Sequence, residues 1–210
     1  MRRLAPHILS LAVVGSLVSG AAPAQSTPEF REALEAYQDG DAARAVMGFR
    51  TLAEQGDGAA QFNLALLFLK GAGLPRNDRA AFYWAWRARL NTVPEAVALS
   101  DMIGRILPAE VVADVAGQLF EDLKADVAGG KADAMLGVAR VQITLSPAPD
   151  RVEALAWATL ASAFDVAGAR ALRDALGLEL SDQDRLAAQA RAQELFADWC
   201  AGPGAESCGH

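Results

Sequence analysis

Residues 59–70 carry Phe62, Leu64, Ala65, Leu66, Leu67, Phe68 and Leu69, so apolar side chains cover almost the whole circumference of one helical segment. A helix without a polar face must be buried on several sides. This segment therefore calls for a stack, with other helices packed around it. Alanine, the strongest helix former, occurs 46 times, against four isoleucines and five threonines. The scarcity of β-branched residues counts against an all-β fold. At 210 residues the chain has room for one domain or a short repeat array.

Helical spacing continues on both sides of that segment. Phe30, Leu34 and Tyr37 follow Pro28, which suits a first helical turn. Gly40 stops this helix and Asp41 caps the next, whose apolar face is Ala45, Phe49, Leu52 and Ala53. Gly56 stops that helix in turn. After the loop at residues 71–77, Asp78 is read as the cap of a helix with Ala81, Trp84 and Ala88 on one face. The complete expectation is ten helices and no sheet: 28–39, 41–55, 58–70, 78–90, 94–106, 108–127, 131–143, 150–164, 166–176 and 181–199.

The first 24 residues read as an address. Arg2 and Arg3 precede an uncharged run from Ile8 to Val18, and Ala22-Pro23-Ala24 places small residues at a cleavage site. This is the three-part pattern of a secretory signal peptide. The run is shorter than the ~20 residues a membrane span needs. The expectation is cleavage after Ala24, a mature chain starting at Gln25 with no membrane span, and a periplasmic or secreted location. Loss of Arg2 and Arg3 takes the formal charge from −7 to −9. That charge and only three lysines argue against a nucleic-acid partner.

Two stretches repeat each other at an interval of 72 to 76 residues. Residues 56–62 align with 130–136, Asp78 with Asp150, Ala81 with Ala154, Trp84 with Trp157 and Ala88 with Ala161. Leu99 and Asp101 align with Leu172 and Asp174, Pro108 with Ser181, and Leu119-Phe120 with Leu195-Phe196. The tryptophans and the Leu-Phe pairs are hard to obtain by chance in an alanine-rich chain. They suggest an internal duplication, with copies at 56–123 and 130–199.

The residues of the first copy resemble a Sel1-like repeat, a relative of the tetratricopeptide helix pair, in its exported bacterial form. The resemblance rests on Ala60, Leu64-Ala65, the loop Gly71-Ala72-Gly73, Asp78, Ala81, Trp84 and Ala88. The second copy keeps Ala134, Val138-Ala139, Asp150, Ala154, Trp157 and Ala161, but replaces the glycine loop by Ser146-Pro147-Ala148-Pro149. The resemblance implies a right-handed α-solenoid of antiparallel helix pairs over residues 25–199, each pair buried only by stacking on the next. Ala60, Leu64, Ala81, Trp84, Ala88, Ala134, Ala154, Trp157 and Ala161 would be its repeat core. It further implies a non-catalytic adaptor that binds a protein or peptide and needs no cofactor or metal.

Chemistry-bearing patterns are few. The two histidines are His7, inside the leader, and His210, at the end of the sequence, so histidine-based nucleophilic catalysis and a histidine-rich zinc site are not expected. The many acidic residues read as solvated helix faces. The alternative function is a cell-envelope glycan hydrolase, which would use a buried carboxyl pair. Gln61, Phe82 and Trp86 are the candidate interaction surface, with core packing as the competing reading for the two aromatics. In the tail, 200–210, Cys200 and Cys208 flank a small, turn-forming segment. An exported chain meets an oxidising compartment, so a disulfide is expected, two free thiols being the alternative.

Overall fold

The computed structural model describes residues 27–208. The expected leader, its cleavage site, and His7 and His210 lie outside the described residues. Ten α-helices follow one another: α1 Pro28–Gln38, α2 Ala42–Glu54, α3 Gly58–Lys70, α4 Asp78–Leu90, α5 Pro94–Ile106, α6 Ala109–Ala128, α7 Asp133–Thr144, α8 Arg151–Ala163, α9 Ala169–Glu179 and α10 Asp182–Ala201. A short 3-10 turn, Ala205–Cys208, closes the described chain, which contains no strand.

Side-chain caps set many of these boundaries. Thr27, Asp41, Asp57, Asn77, Asp150 and Ser181 each accept a hydrogen bond from the backbone amide three residues on. Each bond satisfies a donor that the helix itself leaves open. The cap of α4 is Asn77 and not Asp78. Asp78 is already inside the first turn, where its carboxylate pairs with Arg76 at 2.8 Å. The ends of α9 lie three residues later than the spacing suggests. Asp165 and Gly168 both take positive φ there, and the chain turns before it can coil.

Each helix packs on the next from α1 to α5 and from α6 to α9, whereas α5 and α6, and α9 and α10, make little contact with each other. α4 also packs on α6, and α8 on α10. The arrangement is an all-α solenoid in which α3–α6 and α7–α10 make corresponding contacts. The positional correspondence is closer than the sequence alignment suggests. The caps Asn77 and Asp150 are 73 residues apart, as are the residues preceding α6 and α10, Pro108 and Ser181. Thr92 and Asp165, the two described non-glycine residues at positive φ, have the same separation. The α7–α8 loop is one residue shorter than the α3–α4 loop, which accounts for the drift from 74 to 73. In this register Asp150 stands opposite Asn77, and Leu119 opposite Ala192, so the Leu-Phe pairs do not correspond.

Apolar burial falls into two clusters. One joins α1, α2 and one side of α3; the other runs from α3 to α10. α3 contributes Ala60, Leu64 and Leu67 to the first and Phe62, Ala65 and Leu66 to the second, which is why it needs no polar face. Ala60, Leu64, Ala81, Ala88, Ala134, Ala154, Trp157 and Ala161 are buried. Trp84 is only half-buried. It lies at the seam, packed against both clusters and edge-on to Tyr83 at 5.1 Å, instead of inside either one. The loop of the first copy has its own constraint. A Cβ on Gly73 would collide with the Ala42 carbonyl at the start of α2, so only glycine permits that approach.

Candidate interaction cleft

Gln61, Phe82 and Trp86 do not form a surface. Gln61 is fully buried; its amide donates to the Ala53 carbonyl at 3.0 Å and its oxygen accepts from Asn91 at 2.8 Å. It ties the end of α2 to the end of α4. Phe82 and Trp86 are 2% and 4% exposed and meet edge to face at 6.4 Å. Phe82 fits against α5 at Gly104, where a Cβ would lie 3.1 Å from the ring. Their face of α4 is covered because α5 packs on it, so core packing, the competing reading, holds for the two aromatics.

Hollows lie on α1–α2 and on α8–α10, and two more lie where α4, α5 and α6 face α7. One cleft of about 410 Å³ is walled by Trp86, Val93, Val97, Ile143 and Leu172, with Arg89 and Arg140 among them. A second, of about 440 Å³, lies between α4, α6 and α7 and includes Arg87, Asp126, Lys131 and Asp133. Leu90 and Arg140 belong to both, so the two adjoin along the side of α7.

The charges around these clefts are unevenly compensated. Arg87 and Lys131 both reach Asp126, at 2.9 and 2.8 Å. Burial pushes the Asp126 carboxyl up, but Lys131 and Arg87 outweigh it and hold the pKa below the usual value. One turn away, Tyr83 donates to Asp122 at 2.8 Å. Burial and that bond hold the Tyr83 hydroxyl protonated far above its ordinary range. Arg89 donates to Ser100 at 3.2 Å and to Asp101 at 2.7 Å, and lies 4.4 Å from the Trp86 ring centroid.

Arg140 differs from these three cations. It is half-buried on α7, and among the described residues neither an ion pair nor a hydrogen bond holds its guanidinium. Burial, with some repulsion from Arg89, lowers its pKa from the usual arginine value. Its tip lies by the α8–α9 turn, where a Cβ on Gly168 would be 3.3 Å from Nη2. Trp86, in the same wall, has a buried indole N–H without an acceptor. The sequence does carry a signal for Arg140: it is the one charged residue between Ala134 and Thr144. Its lack of a counter-ion depends on helices far away in the chain.

At the C-terminal end, Cys200 and Cys208 form a disulfide with a Cα separation of 5.7 Å. The chain folds back so that Gly204 lies directly against the Trp199 indole.

No protein-family model matches the chain, and no curated protein matches it. Among solved structures it is similar to a protective antigen present in uropathogenic Escherichia coli strains displaying an SLR fold, at 18% identity and a TM-score of 0.40. That likeness covers 85% of this chain, which spans 30% of the other protein's length.

Proposed function

We propose that this chain is an exported, non-catalytic scaffold of the Sel1-like kind, whose helical stack holds a protein or peptide partner. The observation that carries the reading is the pair of adjoining clefts between the α3–α6 and α7–α10 units, where a surface continuous over several helices is available to an extended ligand. The matching contacts and the 73-residue register support an origin by internal duplication. The part-buried carboxylates favour a framework role. Asp122 is bonded to Tyr83, Asp126 to two cations, and Glu153 to the Trp157 indole and Arg191, each at 2.8 to 2.9 Å. A hydrolase acid needs a carboxyl held protonated by its surroundings, whereas Asp126 is held below the usual carboxylate value by Lys131 and Arg87.

Export is supported by the leader-like residues 1–24 and by the Cys200–Cys208 disulfide. No helix among the described residues is long and apolar enough to cross a membrane. The test is affinity capture from envelope extract with cross-linking, next to a glycan-release assay. A saturable partner cross-linked to α4, α5 or α7 is expected. Glycan release lost on changing one carboxylate would replace the reading with the hydrolase. Mass measurement of exported protein should give a start at Gln25 and no free thiol; a start at Met1 would remove the export claim.

A further inference from the structure

Resting on the scaffold reading, we propose that the cleft between α4, α5 and α7 takes an acidic peptide segment, and that Arg140 receives an aspartate or glutamate side chain of that segment. Three observations combine. Arg140 is the cation of this region without a counter-ion, whereas Arg87, Lys131 and Arg89 are matched by Asp126 and Asp101. A half-buried guanidinium without a partner loses hydration and gains nothing in return, unless a ligand supplies the acceptor. In a chain with a formal charge of −7, that surplus positive charge stands against the overall field.

The second observation is the wall. Val93, Val97, Ile143 and Leu172 present apolar surface beside the guanidinium. A small free anion has no use for that surface, whereas a peptide fills it with neighbouring side chains. The cleft also adjoins a second one at Leu90 and Arg140, giving length along α7 for an extended backbone. The third is the Trp86 indole N–H, buried in the same wall and without an acceptor. The Trp199 indole N–H, packed against Gly204, is in the same state, so the Trp86 donor bears on a ligand only through its place beside Arg89 and the cleft. Pairing of a planar guanidinium with a carboxylate is short, directional and charge-assisted.

The internal register sharpens the assignment. In the second unit Thr159 and Ser162 take the places of Trp86 and Arg89, and in α3 Leu66 takes the place of Arg140. The combination of indole, stacked arginine and unpaired arginine thus occurs at one junction of the solenoid, which makes it a local device and not a property of the repeat.

The experiment selects binders from a displayed library of random peptides on the immobilised mature chain, in parallel with Arg140→Gln and Arg140→Lys. Expected from the native chain is one position enriched in Asp or Glu, flanked by apolar residues. Changing that acid to its amide in a synthetic peptide should weaken binding about tenfold. Arg140→Gln should abolish the discrimination, and Arg140→Lys should keep part of it. Since Arg140 holds no internal partner, neither substitution should lower the thermal midpoint; a clear drop would mark a structural role and overturn the proposal. Peptides without acidic enrichment, or with enrichment unchanged in Arg140→Gln, would overturn it while leaving the scaffold reading intact. Recovery of no peptide at all would overturn the proposal, and the envelope capture would then decide the scaffold reading alone. Acetate and phosphate are added as competitors at matched ionic strength. Displacement by either at millimolar concentration would assign the site to a free anion instead.

Discussion

Arg89 on α4 donates to Ser100 on α5 at 3.2 Å, and 73 residues later the same contact recurs with its members exchanged: Ser162 on α8 accepts from Arg173 on α9 at 3.0 Å. Asp101 and Asp174, equivalent in register, each bond the arginine at 2.7 Å. The contact between the two helices is kept while its donor has moved from one helix to the other. Arg89→Ser or Ser100→Arg alone should each cost about 1–2 kcal/mol. The double exchange should recover about 0.5–1.5 kcal/mol of that sum, because it rebuilds the α8–α9 arrangement. Denaturant unfolding of the four proteins in the cycle measures this; strict additivity would show that the two contacts are unrelated.

Thr92 and Asp165 occupy equivalent turns with φ of 60° and 52°. A β-branched residue suffers more in this region than aspartate does. Thr92→Gly should therefore stabilise the fold by about 1 kcal/mol, and Asp165→Gly by less, after the entropy that glycine adds to the unfolded chain. Thermal midpoints of the two variants check the order; a loss at Thr92→Gly would mean that the threonine side chain contributes packing.

Asp126 holds Arg87 and Lys131 together at the junction of α4, α6 and α7. Its pKa is depressed in the folded state from the ordinary value of 3.8. The unfolded chain therefore binds the proton more readily at low pH. The stability that Asp126 contributes is fully present above the ordinary value and is lost as pH falls through the folded value. Asp126→Asn should flatten the acid limb of stability against pH. Asp126→Ala should cost about 1–3 kcal/mol at neutral pH by stranding Arg87. An acid limb unchanged in Asp126→Asn would assign that limb to other carboxylates.

Trp157 is 7% exposed and its indole N–H donates to Glu153 at 2.9 Å, with Arg191 bonding the same carboxylate from α10. Trp157→Ala should cost about 3–5 kcal/mol through the cavity it leaves. Trp84→Ala should cost less, because the half-buried ring sits at the seam between two clusters. Chemical denaturation of both variants ranks them. Equal losses would place the seam inside one continuous core.

Much of the fold was legible because helix signals are local. Pro28, Gly40, Asp41 and Ser181 act within one turn of themselves, and the alanine spacing of α3, α4 and α8 records close helix approach wherever the chain ends up. The almost wholly apolar circumference of α3 implied burial on several sides, and two clusters meet there. Tertiary structure alone decided which polar and aromatic residues are exposed. Phe82 and Trp86 vanish because α5 folds over α4, and Gln61 vanishes because Asn91 returns from 30 residues away to bond it. Arg140 became a candidate site for the same reason in reverse. A charge among apolar residues is visible in the sequence, but whether another helix brings it a counter-ion depends on long-range packing. Here Asp101 and Asp126 are already taken by other cations, and Arg140 is left facing the cleft.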